Sequence, residues 1–308
     1  MKTALLFPGQ GSQRVGMGRD LVHEYPVARQ TFSEADEVLG FALSTLCFEG
    51  PADELTLTKH TQPAILTTSI AVQRALLERG LTFDVVAGHS LGEWSALVAT
   101  GALAFRDAVR LTYLRGSYMQ EAVPAGMGAM AALMGLDLAA TKAVCEKATQ
   151  GAEVVEVANI NGGGQIVISG HTGAVDRAIV EAKAAGAKRA AKLAVSAPFH
   201  CSLMKPAAEQ LAAALADVEI REPSVPVVAN VTATPTRDPA KIRELLIRQV
   251  TAPVRWEASV QAIAGLGVTR AYELGSGSVL KGLVKRIAET IDVTTIGEPH
   301  EVKAFEAQ

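Results

Sequence analysis

Ser90 stands between two glycines in Gly88-His89-Ser90-Leu91-Gly92, a G-x-S-x-G arrangement that lifts a serine hydroxyl onto a tight strand-to-helix turn. The surroundings fit that geometry. Asp84-Val85-Val86-Ala87 reads as a short buried strand, and Leu91, Trp94, Leu97 and Val98 recur at helical spacing until Gly101. The serine thus sits at a helix N-terminus, where free amides and the helix dipole favour developing negative charge. Such a serine is a nucleophile only beside a base that takes its proton.

Six histidines could be that base. His23, His60 and His300 lie in polar surroundings and read as surface. His89 belongs to the turn itself, and its side chain is expected to diverge from Ser90. His171 opens a helix, where capping accounts for it. His200 remains: it follows Ala197-Pro198-Phe199 and comes after the serine in the chain, as the base does in hydrolase-type triads. It is either that base or a partly buried loop histidine. A triad also needs a carboxylate. Asp107, Asp137 and Asp176 fall in helices or helix starts, where capping and solvation explain them, and none stands out.

Two further features bear on the same chemistry. Pro8-Gly9-Gln10-Gly11-Ser12-Gln13 follows the first strand without the Gly-Lys-Ser/Thr of a phosphate-binding loop. Its glycines allow close main-chain approach, so the Gln10 N–H could join that of Leu91 in an oxyanion hole, though a plain β-to-α turn explains the same residues. Arg115, in Tyr113-Leu114-Arg115-Gly116-Ser117, has mostly apolar or small neighbours, and Gly116 opens space beside it. It suits bidentate capture of a carboxylate, or equally a helix-face salt bridge. Arg110 reads as surface. Gly126-Met127-Gly128-Ala129-Met130-Ala131 imitates a dinucleotide-binding loop, but a strand follows it rather than a helix. Asn161-Gly162-Gly163-Gly164 is a hairpin-type turn. His89 and Glu93 lack a second histidine to complete a zinc set, so no metal is expected.

The elements that position these residues alternate between strand and helix, which indicates an α/β fold with a mostly parallel sheet. Strand Ala4–Phe7, helices in the twenties to forties and helix Ala64–Arg79 precede the serine turn; helix Phe105–Glu121 follows it. Between 126 and 197 the order is strand 130–136, helix 138–148, strand 154–159, strand 165–169, helix 174–185 and strand 189–195. That βαββαβ order is the ferredoxin-like split βαβ. It predicts a small subdomain, 126–197, inserted into a larger unit formed by 1–125 and 198–308, with Pro124-Ala125-Gly126 and Ser196-Ala197-Pro198 as its borders. Afterwards come an alanine-rich helix, Ala207 to Ala216, started after Pro206, then strand 225–230, helix 240–249, strand 271–274 and helix 278–287.

The chain has 308 residues, 49% hydrophobic and 20% charged, enough for one large domain or two smaller ones. A net charge of -3 argues against a general nucleic-acid binder. Three cysteines (Cys47, Cys145, Cys201) form no pair motif, and a reducing cytoplasm is expected. The N-terminal apolar run is too short for a signal peptide, and no stretch approaches a membrane span.

These residues together resemble the malonyl-CoA:acyl carrier protein transacylases of fatty-acid and polyketide synthesis. The resemblance spans nearly the whole chain: Phe7-Pro8-Gly9-Gln10-Gly11-Ser12-Gln13, Thr61-Gln62-Pro63-Ala64, Gly88-His89-Ser90-Leu91-Gly92-Glu93, Arg115-Gly116, Gly126-Met127-Gly128-Ala129-Met130, Pro198-Phe199-His200-Cys201 and Arg248-Gln249-Val250. It implies an α/β-hydrolase-like large domain and a ping-pong reaction. Ser90 would carry the malonyl group, and His200 would act as base and then acid. The Gln249 main-chain carbonyl would orient His200, consistent with the missing carboxylate. Gln10 and Leu91 would supply oxyanion amides, Arg115 would hold the malonyl carboxylate, and Gln62 and Asn159 would line the cleft. The coenzyme A thioester would be a substrate, with no cofactor. The partners implied are malonyl-CoA and acyl carrier protein, the latter meeting a basic rim at Lys188-Arg189 with Lys192 or at Lys281 with Lys285-Arg286. A monomer is implied, with no nucleic acid or membrane. Trp94, where the family more often has tyrosine or phenylalanine, would alter cleft width. The serine turn alone is also compatible with a serine hydrolase, which would release free malonate, or with a carrier-protein scaffold, which would form no acyl-serine.

Overall fold

The computed structural model describes residues 2–195 and 197–306. The chain opens with β1 (Lys2–Phe7), which ends at Pro8-Gly9. Five helices follow: α1 (Arg19–Glu24), α2 (Pro26–Leu39), α3 (Leu43–Glu49), α4 (Ala52–Thr56) and α5 (Thr58–Leu77). Then come β2 (Val85–Gly88), α6 (Gly92–Ala99) and α7 (Phe105–Glu121). The next run is β3 (Gly128–Met134), α8 (Leu138–Ala148), β4 (Val155–Gly162), β5 (Gln165–His171), α9 (Thr172–Ala184) and β6 (Arg189–Lys192). A 3₁₀ turn at Ser202–Met204 leads into α10 (Lys205–Leu215), β7 (Val227–Val228), β8 (Pro235–Thr236) and α11 (Pro239–Gln249). The chain finishes with α12 (Trp256–Gly265), β9 (Val268–Leu274), α13 (Val279–Ile287), β10 (Asp292–Ile296) and α14 (Pro299–Ala304).

The larger sheet has the order β10-β9-β1-β2-β7-β8, parallel except for the β7–β8 pair. β1 shows why both faces are covered. Its Leu5 and Phe7 enter one core with α2, α5 and α7, while Ala4 and Leu6 enter another with α12 and α13. A parallel strand buried on both sides needs such a continuous apolar run. The smaller sheet, β4-β5-β3-β6, is antiparallel. Numbered within its own βαββαβ run, its spatial order is second-third-first-fourth, the ferredoxin-like arrangement. One face packs on α8 and α9 through Ala131, Leu133 and Ile168. From the other face, Met130, Ala158 and Val167 join the core of the larger unit.

Several boundaries differ from the sequence reading. α5 begins at Thr58 rather than Ala64 and runs through Pro63. Its residues from Thr61 to Val72 are all buried, so packing outweighs the backbone bond that proline cannot make. β7 spans two residues instead of six, and β6 stops at Lys192. α12, β10 and α14 lack a counterpart in the sequence reading. α8 and α11 match it because each has a side-chain cap: Asp137 accepts from the Ala140 N–H, and Asp238 from those of Ala240 and Lys241. Of the border turn Ser196-Ala197-Pro198, Ser196 lies outside the described residues.

Candidate active site

The serine turn joins β2 to α6, and three glycines make it possible. A Cβ at Gly88 would lie 1.9 Å from the Gly92 carbonyl carbon, one at Gly92 2.0 Å from the Phe7 oxygen, and one at Gly9 2.4 Å from the His89 oxygen. These are backbone contacts that cannot yield, so the β1 loop and the serine turn are pressed together through absent side chains. Ser90 itself has φ 51°, and His200 has φ 61°. Left-handed backbone at a non-glycine residue costs of order 1–3 kcal/mol and persists only where the surroundings over-determine it.

The surroundings do so. The Asn230 Oδ1 accepts from the Ser90 N–H (2.7 Å), and its Nδ2 donates to the Gly88 carbonyl (2.7 Å). The Gln249 Nε2 donates to the Ser90 carbonyl (3.0 Å) and to Glu93 (2.8 Å). The Glu93 carboxylate also accepts from the Asn230 N–H (2.9 Å). Burial pushes this carboxyl up to about 7, against the opposing effect of the Asn230 and Gln249 hydrogen bonds.

His200 reaches the serine. Its Nε2 lies 2.7 Å from Ser90 Oγ, and its Nδ1 lies 2.8 Å from the Gln249 carbonyl oxygen. A carbonyl can only accept, so the proton sits on Nδ1 and the Nε2 lone pair faces the hydroxyl. Burial first, and the Arg115 guanidinium second, push the imidazole down to about 3. At neutral pH it is therefore uncharged and able to accept the serine proton.

Arg115 is 2% exposed. Its Nη1 donates to Gln62 Oε1 (2.6 Å), and its Nη2 to Gln249 Oε1 (3.0 Å) and Ser90 Oγ (3.2 Å). Its Nε, also buried, has no partner among the described residues. The guanidinium is held among neutral oxygens. Burial lowers it to about 10, so it stays cationic at neutral pH. Gly116 brings it here, though not by opening space: a Cβ there would lie 2.6 Å from Lys59 Cα and from the Thr58 oxygen. α7 lies directly on the first turn of α5, and Arg115 thereby meets Gln62.

A cavity of about 120 Å³ gathers Gln10, Gln62, Ser90, Leu91, Arg115, Asn159 and His200, with Met119, Met130 and Phe199 as apolar walls. The Gln10 and Leu91 amides donate to no group among the described residues. Asn159 arrives from β4, which bonds to Val254 just ahead of α12.

Several expectations change. Trp94 is fully buried in the core and does not line the cavity. His60 is not a surface residue: its Nδ1 lies 2.9 Å from the Glu54 carbonyl oxygen, and its ring packs near Phe41 and Tyr113. His171 stands at the N-cap of α9 but makes no side-chain cap bond there; its Nδ1 accepts from the Val154 N–H instead. His89 does diverge from Ser90, placing Nε2 2.9 Å from Asn161 Oδ1. Asn230, Glu93 and the side chain of Gln249 escaped the sequence reading. Glu93, one turn beyond the serine in an apolar helix, was the available signal.

No helix among the described residues is long and apolar enough to cross a membrane, and no His/Cys/Asp/Glu group there could hold a metal ion. Residues 4–293 match the family model of the acyl transferase domain. The chain is 51% identical to the malonyl CoA-acyl carrier protein transacylase of Bacillus subtilis, over 98% of this chain and 95% of that one. It superposes with a TM-score of 0.96 on an acyl carrier protein S-malonyltransferase from Vibrio cholerae, at 48% identity and 99% coverage of both chains. A malonyl-transacylase in complex with a type II polyketide acyl-carrier protein matches with the same TM-score, at 46% identity over 99% of this chain and 98% of that one.

Proposed function

The chain belongs to the malonyl CoA-acyl carrier protein transacylases of the acyl transferase domain family, and from that premise we propose that it transfers malonyl groups from coenzyme A to the phosphopantetheine thiol of an acyl carrier protein. One observation carries the reading: within 3.2 Å of the Ser90 hydroxyl oxygen lie both a neutral imidazole and a buried guanidinium.

Ser90 Oγ attacks the thioester carbonyl while His200 Nε2 takes its proton. The tetrahedral oxyanion is received by the Gln10 and Leu91 amides, each donor lowering the barrier by about 3–4 kcal/mol. Collapse breaks the C–S bond, and the proton on Nε2 passes to the leaving thiolate. The carrier thiol then gives its proton to His200 and attacks the malonyl-serine ester, and Ser90 regains its proton as it leaves. The Gln249 carbonyl does here what a triad carboxylate does elsewhere: it fixes the tautomer and accepts from the imidazolium. Arg115 holds the malonyl carboxylate, Gln62 accepts from its guanidinium and so orients it, and Gln62 and Asn159 line the cleft. The thioester is a substrate, and no further cofactor is invoked. Of the proposed basic rim, Lys192 pairs with Asp176 at 2.7 Å, while Lys281 and Lys285 flank a surface groove with Glu289. Three unpaired, buried cysteines support a reducing cytoplasm as the compartment.

Intact-mass spectrometry after mixing with malonyl-CoA tests the reading. A malonyl adduct is expected on the wild type and not on Ser90→Ala. Free malonate as the main product with a thiol acceptor present would point to hydrolysis instead.

A further inference from the structure

Arg115 touches the nucleophile as well as the place where a substrate carboxylate is read. Its Nη2 divides between the Gln249 side chain and Ser90 Oγ, and the three oxygens its guanidinium meets, on Gln62, Gln249 and Ser90, are all uncharged. We propose that this guanidinium restrains Ser90 in the unloaded enzyme, and that the carboxylate of the incoming acyl thioester releases the serine by claiming that cation. The proposal rests on the malonyl-transfer reading and deepens it. A dicarboxylic half-thioester would then be selected by switching on its own acceptor as well as by being bound.

Two physical effects converge. The N–H donated to Ser90 Oγ is charge-assisted, and it is surrendered when the hydroxyl becomes an ester oxygen, a poor acceptor. An acyl group without a carboxylate must break that bond with nothing in exchange. A carboxylate replaces it with a stronger one. The same cation also opposes imidazolium formation on His200. The other groups facing His200 do not cancel it. His89, from the turn after β2, opposes the charge as well, while the main chains of Gln249, the last residue of α11, and of Ala252 beyond it favour it. The adjoining Cys201 thiol is pushed up to about 11 and stays uncharged. Glu93 of α6 acts on Arg115 from behind the Gln249 amide, and Glu156 of β4 is engaged by Ser202. A carboxylate on Arg115 leaves the pair neutral and frees both effects at once.

Formate has the size and charge of the carboxylate that acetyl-CoA lacks. On the wild type it is expected to raise acetyl transfer to a carrier thiol by about tenfold, the equivalent of one charge-assisted hydrogen bond. The acid limb of that transfer should move to higher pH, upward from about 3 toward the ordinary 6.5 of a histidine. Arg115→Gln, which removes the restraint, should transfer acetyl without formate faster than the wild type and ignore formate. Arg115→Lys, which keeps the charge, should retain the low acid limb. No acceleration of the wild type by formate, or equal acceleration of Arg115→Gln, overturns the proposal. The wild-type measurement needs no variant to fold. A malonyl adduct on Ser90 without any formate effect would defeat the restraint alone; absence of the adduct would defeat the transfer reading itself.

Discussion

Asn230 carries no reacting atom, yet three bonds that shape the serine turn pass through it: from the Ser90 N–H, to the Gly88 carbonyl, and from its own N–H to Glu93. Asn230→Ala leaves two buried backbone groups unpaired, at about 1–3 kcal/mol each. We expect urea unfolding to show that loss and the acylation burst to slow by more than tenfold, with KM for malonyl-CoA little changed. An unaltered burst would mean that the turn holds its shape without this side chain. Ser90, His200 and Arg115, which the structure brings together, could be singled out because a glycine-flanked serine, a loop histidine and an arginine among apolar neighbours are distinctive types in distinctive neighbourhoods. Asn230 was not, because a lone asparagine after a short apolar run reads as an ordinary strand end. Its role comes entirely from residues about 140 positions earlier.

At the scale of elements, the decisive contact is α7 against α5. Gly116 permits it, since any side chain there would strike the Thr58–Lys59 backbone. Gly116→Ala should force the helices apart, cost about 1–3 kcal/mol, and narrow the malonyl-to-acetyl preference by displacing Arg115 from Gln62. The same substitution at Gly282, inside α13 with open space around it, should instead stabilise by about 0.5–1 kcal/mol. Equilibrium denaturation of the two variants separates the cases, and equal effects would contradict the packing argument. Sequence patterns recovered α7 to the residue but placed the start of α5 six residues late. Proline favours the first helical turn, whereas here tertiary burial carries the helix through it.

Across the whole molecule, two buried groups in one site oppose each other in pH. His200 titrates far below its ordinary 6.5. Below that value the unfolded chain binds a proton that the folded one refuses, so stability falls as pH drops. Glu93 is raised from 4.5 to about 7. Between those values the folded chain keeps a proton that the unfolded one has lost, so stability falls as pH rises. The effects offset between 4.5 and 6.5. Glu93→Gln removes one of them, and its melting temperature should climb with pH across that window more steeply than that of the wild type. Parallel curves would refute the linkage.

Local order was readable from the residues alone. Strand and helix alternation, the glycine-bounded serine and the βαββαβ run all follow from period, turn chemistry and short-range sterics, which act between neighbours in the chain. The small sheet's strand order fits the βαββαβ reading. What folding decided is who meets whom: the Gln249 carbonyl beneath His200, Glu93 and Asn230 behind the turn, and Arg115 on the serine itself. Those contacts join residues 25 to 159 positions apart. They arise because two sheets and their covering helices bury apolar faces together, and no local pattern encodes which polar groups that burial will trap side by side.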